Sequence, residues 1–130
     1  MDFQNSDPKS MPSVDVLSLR FTIDLGFEGN EKGWGYLMEN SEVFELRTAE
    51  SANRTFGDDY RGSEIFYRRG SIELLALIYV GYQAVAQYPD FVKGVRTLKD
   101  QLTGIYRDIF GKHGFKADVS VQTRMPDPKQ

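Results

Sequence analysis

Cysteine is absent from this 130-residue chain, which removes disulfides, thiol nucleophiles and zinc–thiolate sites. Histidine occurs once, as His113, so a multi-histidine metal site is excluded as well. Basic excess is also missing. Lys and Arg number 16 against 19 Asp and Glu, a formal charge of -3. An acidic chain is poorly suited to general nucleic-acid binding, because phosphates must be neutralised by a basic surface. Phosphate-cradling motifs are lacking too. No Gly-Lys-Ser/Thr triplet occurs, and Gly26, Gly29, Gly33 and Gly35 scatter around Trp34 without the dinucleotide spacing. The acidic loop residues Asp58, Asp59 and Glu64 lack the spacing and glycine of an EF-hand. Residues 1–13 have neither the basic start nor the apolar core of a signal peptide. These gaps predict no catalytic residue, no metal and no cofactor, with a cytoplasmic location as the default.

What is present is an ordinary globular balance of 40% hydrophobic and 27% charged residues. The length suits one domain with one core. Polar, proline-containing ends set its limits: a tail over 1–13, a single domain over 14–124, and a tail over 125–130. Charge divides unevenly along the chain. Residues 1–70 hold 8 Lys or Arg against 13 Asp or Glu, whereas residues 71–130 hold 8 against 6. A solvated surface with two differently charged faces accounts for this split.

Residues 14–25 alternate, with Leu17, Leu19, Phe21, Ile23 and Leu25 opposite Ser18, Arg20, Thr22 and Asp24. Period 2 over this length predicts a half-buried strand. Residues 26–40 fit either a short helix or a short strand. Residues 42–50, with Val43, Phe44 and Leu46, read as a strand, residues 51–62 as a polar loop, and residues 64–69 as a second short strand. Gly70-Ser71 then punctuates the chain, and Ser71 suits a helix N-cap followed by Glu73 in the first turn.

Residues 72–88 contain only three strongly polar side chains, Glu73, Gln83 and Gln87, and read as an apolar helix. Seventeen helical residues reach about 25 Å, short of the ~30 Å hydrocarbon core of a membrane. A bulky side (Leu74, Leu75, Ile78, Tyr82, Val85) opposes a small or polar side (Ala76, Val80, Gln83, Ala84). Pro89 breaks the helix. A second helix follows over 89–110, where Phe91, Val95, Leu98, Leu102, Ile105 and Ile109 recur at spacings of 4, 3, 4, 3 and 4. Gly111 ends it, His113 falls in the turn beyond, and Phe115, Ala117, Val119 and Val121 alternate as a last strand.

The resulting fold class is α+β, with an antiparallel sheet packed against a long, Pro-broken helical section. If residues 26–40 are helical, the element order is the split βαβ, ferredoxin-like one; if they form a strand, it is a meander.

Two surfaces are candidates for function. The first is helical: Ala76, Val80, Gln83 and Ala84 on the first helix, with Phe91, Val95, Leu98, Leu102, Ile105 and Ile109 on the second. Two long apolar faces beside a small sheet leave apolar surface over, and such a remainder marks an interface. The second is basic and aromatic: Arg61, Phe66, Tyr67, Arg68 and Arg69, a combination that stacks and pairs with single-stranded RNA. His113, without a visible partner, reads as a residue complementing a helix C-terminus.

The run Arg69-Gly70-Ser71-Ile72-Glu73, an apolar segment, and Tyr88-Pro89-Asp90-Phe91 together resemble small effector-associated modules of bacterial conflict systems. The likeness covers residues 64–92. It implies an adaptor role and, for some members, a membrane helix. The leading expectation is therefore a non-catalytic protein–protein interaction module that self-associates or docks a partner protein through its long helices. The alternative is a small membrane-associated effector subunit inserting residues 72–88. The third is a single-stranded RNA-binding domain.

Overall fold

The computed structural model describes residues 14–127. The tail expected over 1–13, and residues 128–130 of the other tail, lie outside the described residues; residues 125–127 continue from the last strand without regular structure. The order is β1 (Val14–Asp24), α1 (Phe27–Glu39), α2 (Ser41–Phe56), β2 (Tyr60–Arg68), β3 (Ile72–Gly81), a short α3 (Tyr82–Ala86), α4 (Tyr88–Gly111) and β4 (Asp118–Arg124). The strands form one antiparallel sheet in the order β2-β3-β1-β4. The class is α+β, as expected. A meander is excluded, because β1 pairs with β3 and β4 and not with β2.

One face of the sheet makes the core. Leu17, Leu19, Phe21 and Ile23 of β1 lie beside Ile78, Ala76, Leu74 and Ile72 of β3, and all eight are fully buried. Helices α1, α2 and α4 cover them with Leu37, Phe44, Ala52, Leu98, Leu102, Tyr106 and Phe110. The heptad-spaced stripe of α4 points inward onto this sheet, with only Ile105 among its six members partly exposed. Pro89 stands in the first turn of α4, where its missing N–H costs no helical bond.

Two sequence expectations need correction, and one open alternative is decided. Residues 72–81 are a strand, and the expected Pro-broken helical section begins only at Tyr82. The segment is apolar on both sides because β3 is an interior strand, flanked by β2 and β1. A continuous apolar run of this kind fits a buried helix and a buried strand equally well. Gly70-Ser71 accordingly belongs to a hairpin turn, with Gly70 at φ 115°, a left-handed conformation that a side chain disfavours. Ser71 caps no helix.

Second, residues 42–50 are helical, not extended. Phe44, Thr48, Ser51 and Ala52 of α2 are buried at a helical spacing, and the small or polar members of that stripe hid it. The expected polar loop from Ser51 is the rest of α2 and a single 3-10 turn. Third, residues 26–40 resolve as helix α1. Gly33 is buried there because a Cβ would collide with the Leu25 side chain and press on Ile72. Among the described residues, no helix is long and apolar enough to cross a membrane, so the helix expected to insert over 72–88 does not exist.

Candidate functional site: the open face of the sheet

Alternation puts the remaining strand residues on the face opposite the helices. Rows of side chains cross that face from β2 to β4, and beyond the fourth lies the pair Asp24 of β1 and Asp118 of β4. The first is Gly62, Tyr79, Val16; the second Glu64, Leu77, Ser18, Arg124; the third Phe66, Leu75, Arg20, Gln122; the fourth Arg68, Glu73, Thr22, Ser120. Among the described residues, no helix covers them. Phe66 keeps 51% of its surface exposed and Val16 40%, while Leu75 and Leu77 are half-buried by their neighbours. Apolar side chains open to water on an otherwise solvated sheet face mark an interaction surface.

Charges of both signs stand on this face. Tyr79 donates its hydroxyl to Glu64 Oε1 at 2.6 Å, and that bond is the main reason its pKa is raised. Arg68 holds Glu73 through both carboxylate oxygens at 3.0 and 3.1 Å. Arg20 and Arg124 have no ion-pair partner among the described residues. Glu64 and Glu73 stand with Arg68 on the β2–β3 half, while the exposed Asp24 and Asp118 stand with Arg20 and Arg124 on the β1–β4 half. Two shallow depressions flank Arg20: one of about 210 Å³ toward Phe66 and Glu73, the other of about 530 Å³ toward Gln122 and Arg124.

The sequence-predicted surfaces distribute differently. Of the helical candidates, Ala76 and Val80 are strand residues with no exposure, on the face under the helices. Phe91, Val95, Leu98, Leu102 and Ile109 are at most 7% exposed, and Ile105 is partly buried against the same core. The surface they would offer a partner is already occupied by this chain's own sheet. Gln83 is exposed and Ala84 half-buried on the short α3.

Of the basic and aromatic set, only Phe66 and Arg68 reach the open face. Tyr67 points to the helices and donates to Glu45 Oε2 at 2.8 Å. Arg61 stands at a β-bulge and bonds to the Asp58 carbonyl. Arg69 lies in the hairpin turn, paired with Glu31 at 2.7 Å and 6.0 Å from the Trp34 ring centre. The five residues do not form one surface. Arg20, Leu75, Leu77, Tyr79, Glu64 and Arg124 were missed. For Arg20 the signal was present, since it belongs to the polar side of the alternating β1 segment. For Leu75 and Leu77 the helical reading of 72–88 concealed it.

His113 stacks on Tyr36 with ring centres 4.1 Å apart. Among the described residues no three His, Cys, Asp or Glu side chains gather as a metal site. The buried polar pair Thr48 and Tyr106, 2.5 Å apart, ties α2 to α4 inside the core. Comparison with family models, curated proteins and solved structures yields no match for this chain.

Proposed function

We propose that the protein is a non-catalytic interaction module whose working surface is the open face of its sheet. The observation that carries this reading is the row structure around Leu75 and Leu77, which no described helix covers, apolar at its centre and edged by Arg20 and Arg124, neither of which has an ion-pair partner among the described residues. An apolar centre with a polar rim is how protein interfaces are built. The long helices, spent on the core, serve to hold this face flat and rigid. A split βαβ, ferredoxin-like arrangement belongs to the same reading. The sheet order supports it, as do the helical connections from β1 to β2 and from β3 to β4.

Single-stranded RNA is the lesser reading. Phe66 between Arg20 and Arg68 favours it, but Glu64 and Glu73 place carboxylates where phosphates would lie. The interaction reading is tested by a photo-cross-linker. Since the chain has no cysteine, Leu77→Cys carries a single benzophenone on the open face, and Arg107→Cys carries one on the exposed side of α4. In cell extract, adducts from position 77 and not from 107 are expected. Adducts from 107 alone overturn the proposal.

A further inference from the structure

The sheet has two edges as well as an open face, and we infer that the β4 edge pairs antiparallel with the β4 edge of a second copy of this chain, about a two-fold axis through Val121. The pairing stands independently of what the open face binds. β4 is the last strand of the sheet, and among the described residues nothing pairs with its outer side. Such an edge presents backbone N–H and C=O groups that template a further strand. Edges are commonly blunted by proline, lysine or a bulge. Asp118–Arg124 has none of the three: it reads Asp-Val-Ser-Val-Gln-Thr-Arg and pairs with β1 in unbroken register. The β2 edge differs. It carries a bulge beside Arg61, and its charges are engaged within the chain, Glu64 by the Tyr79 hydroxyl and Arg68 by Glu73.

The strand's own sequence selects the occupant. Val121 is the midpoint of Asp118–Arg124, so an antiparallel pair centred there uses all 7 residues of both strands. Asp118 then stands opposite Arg124 of the other copy, Val119 opposite Thr123, Ser120 opposite Gln122, and Val121 opposite its own image. Opposite charges directly across an antiparallel pair are favourable, and the two-fold axis makes this contact at both ends. Neighbouring registers lose it. A centre at Ser120 sets Arg124 opposite Lys116, and a centre at Gln122 sets Asp118 opposite Pro126, which has no N–H to give. Within one chain Asp118 faces Asp24, and like charges directly opposite are destabilising. In the dimer that row continues from Asp24 and Asp118 into Arg124 and Ser18 of the other copy, which brings a cation to the two carboxylates. On the helix-covered side, the half-buried Val119 and Val121 gain cover from Thr123 and Val121 of the other copy. An axis normal to the sheet keeps the helices of both copies on one side, so the two sheets join and their open faces become continuous.

Sedimentation equilibrium with charge reversals tests the pairing. Wild type is expected to move toward twice the chain mass of 14.8 kDa as its concentration rises. Asp118→Arg and Arg124→Asp, both at exposed positions, each set like charges face to face twice per dimer and raise the dissociation constant at least about tenfold. An equimolar mixture of the two single variants restores the dimer, because each supplies the charge that the other lacks. The double variant restores it as well. Unchanged circular dichroism shows that the variants fold. Hydrogen exchange on the wild type gives a readout particular to the edge: the β4 amides that point away from β1 become protected in step with the dimer fraction. A wild type that stays monomeric, a mass that grows beyond the dimer, or single variants that dimerise like wild type overturn the inference. So does a dimer whose formation leaves the exchange of the β4 amides unchanged.

Discussion

The buried hydroxyl pair between α2 and α4 gives the sharpest test of the core. Thr48 and Tyr106 are both without exposure. Thr48 donates its one proton to the Phe44 carbonyl at 2.7 Å, so Tyr106 is the donor in the 2.5 Å contact between the two hydroxyls. The two truncations are therefore unequal. Tyr106→Phe removes a hydrogen bond and leaves Thr48 still bonded to Phe44, at a cost of about 0.5–1.5 kcal/mol. Thr48→Val leaves the Tyr106 hydroxyl buried with no acceptor, at a cost of about 1–3 kcal/mol. The double variant removes both polar groups and keeps the shape, so it is expected no less stable than Thr48→Val alone. Urea unfolding measures this directly. With m of about 1–3 kcal/mol/M, a loss of 2 kcal/mol lowers the midpoint by about 1 M. Single effects that add in the double variant, or a Tyr106→Phe loss larger than that of Thr48→Val, would refute the donor assignment.

Neighbouring leucines of β3 separate strand from helix. Leu74→Ala, on the core face, is expected to cost about 2–5 kcal/mol, while Leu75→Ala, on the open face, costs under about 1 kcal/mol, both read from denaturant midpoints. Equal losses would contradict the strand. Alkaline stability should fall in a defined direction. Burial raises the pKa of Tyr67 and Tyr106 above the ordinary 10.0, so the folded state holds these protons longer than the unfolded one. Stability from them is complete below about pH 10 and is lost as pH rises above it. Tyrosinate absorbance followed alongside circular dichroism should show both titrating only with unfolding. Arg68→Ala breaks an exposed pair with Glu73 and is expected to change the unfolding midpoint by less than about 1 kcal/mol.

Where periodicity was pure, the sequence could be read directly. β1 alternates because one of its faces is buried and the other wet. α4 shows its stripe because a single face meets the sheet. β3 was misread because both of its sides are apolar, the mark of a strand with neighbours on each edge. Nothing local distinguishes that from a buried helix when Leu and Ala fill it. α2 was misread for the opposite reason. Thr48 and Ser51 are polar by composition yet buried, and only Tyr106, 58 positions further on, explains why Thr48 is there. The candidate site depended on the same error, since moving 72–81 from helix to strand turns Leu75 and Leu77 from core into surface.

The amino-acid order alone determined the α+β class, the half-buried first strand, the long amphipathic helix and the lack of thiol or histidine-cluster chemistry, because each rests on composition or on a period within one element. Tertiary structure alone decided which apolar segments face one another and which face water. The open sheet face, with Leu75 and Leu77 at its centre and charges of both signs around them, is assembled from four strands up to 108 positions apart, and only cross-strand register brings their side chains into rows.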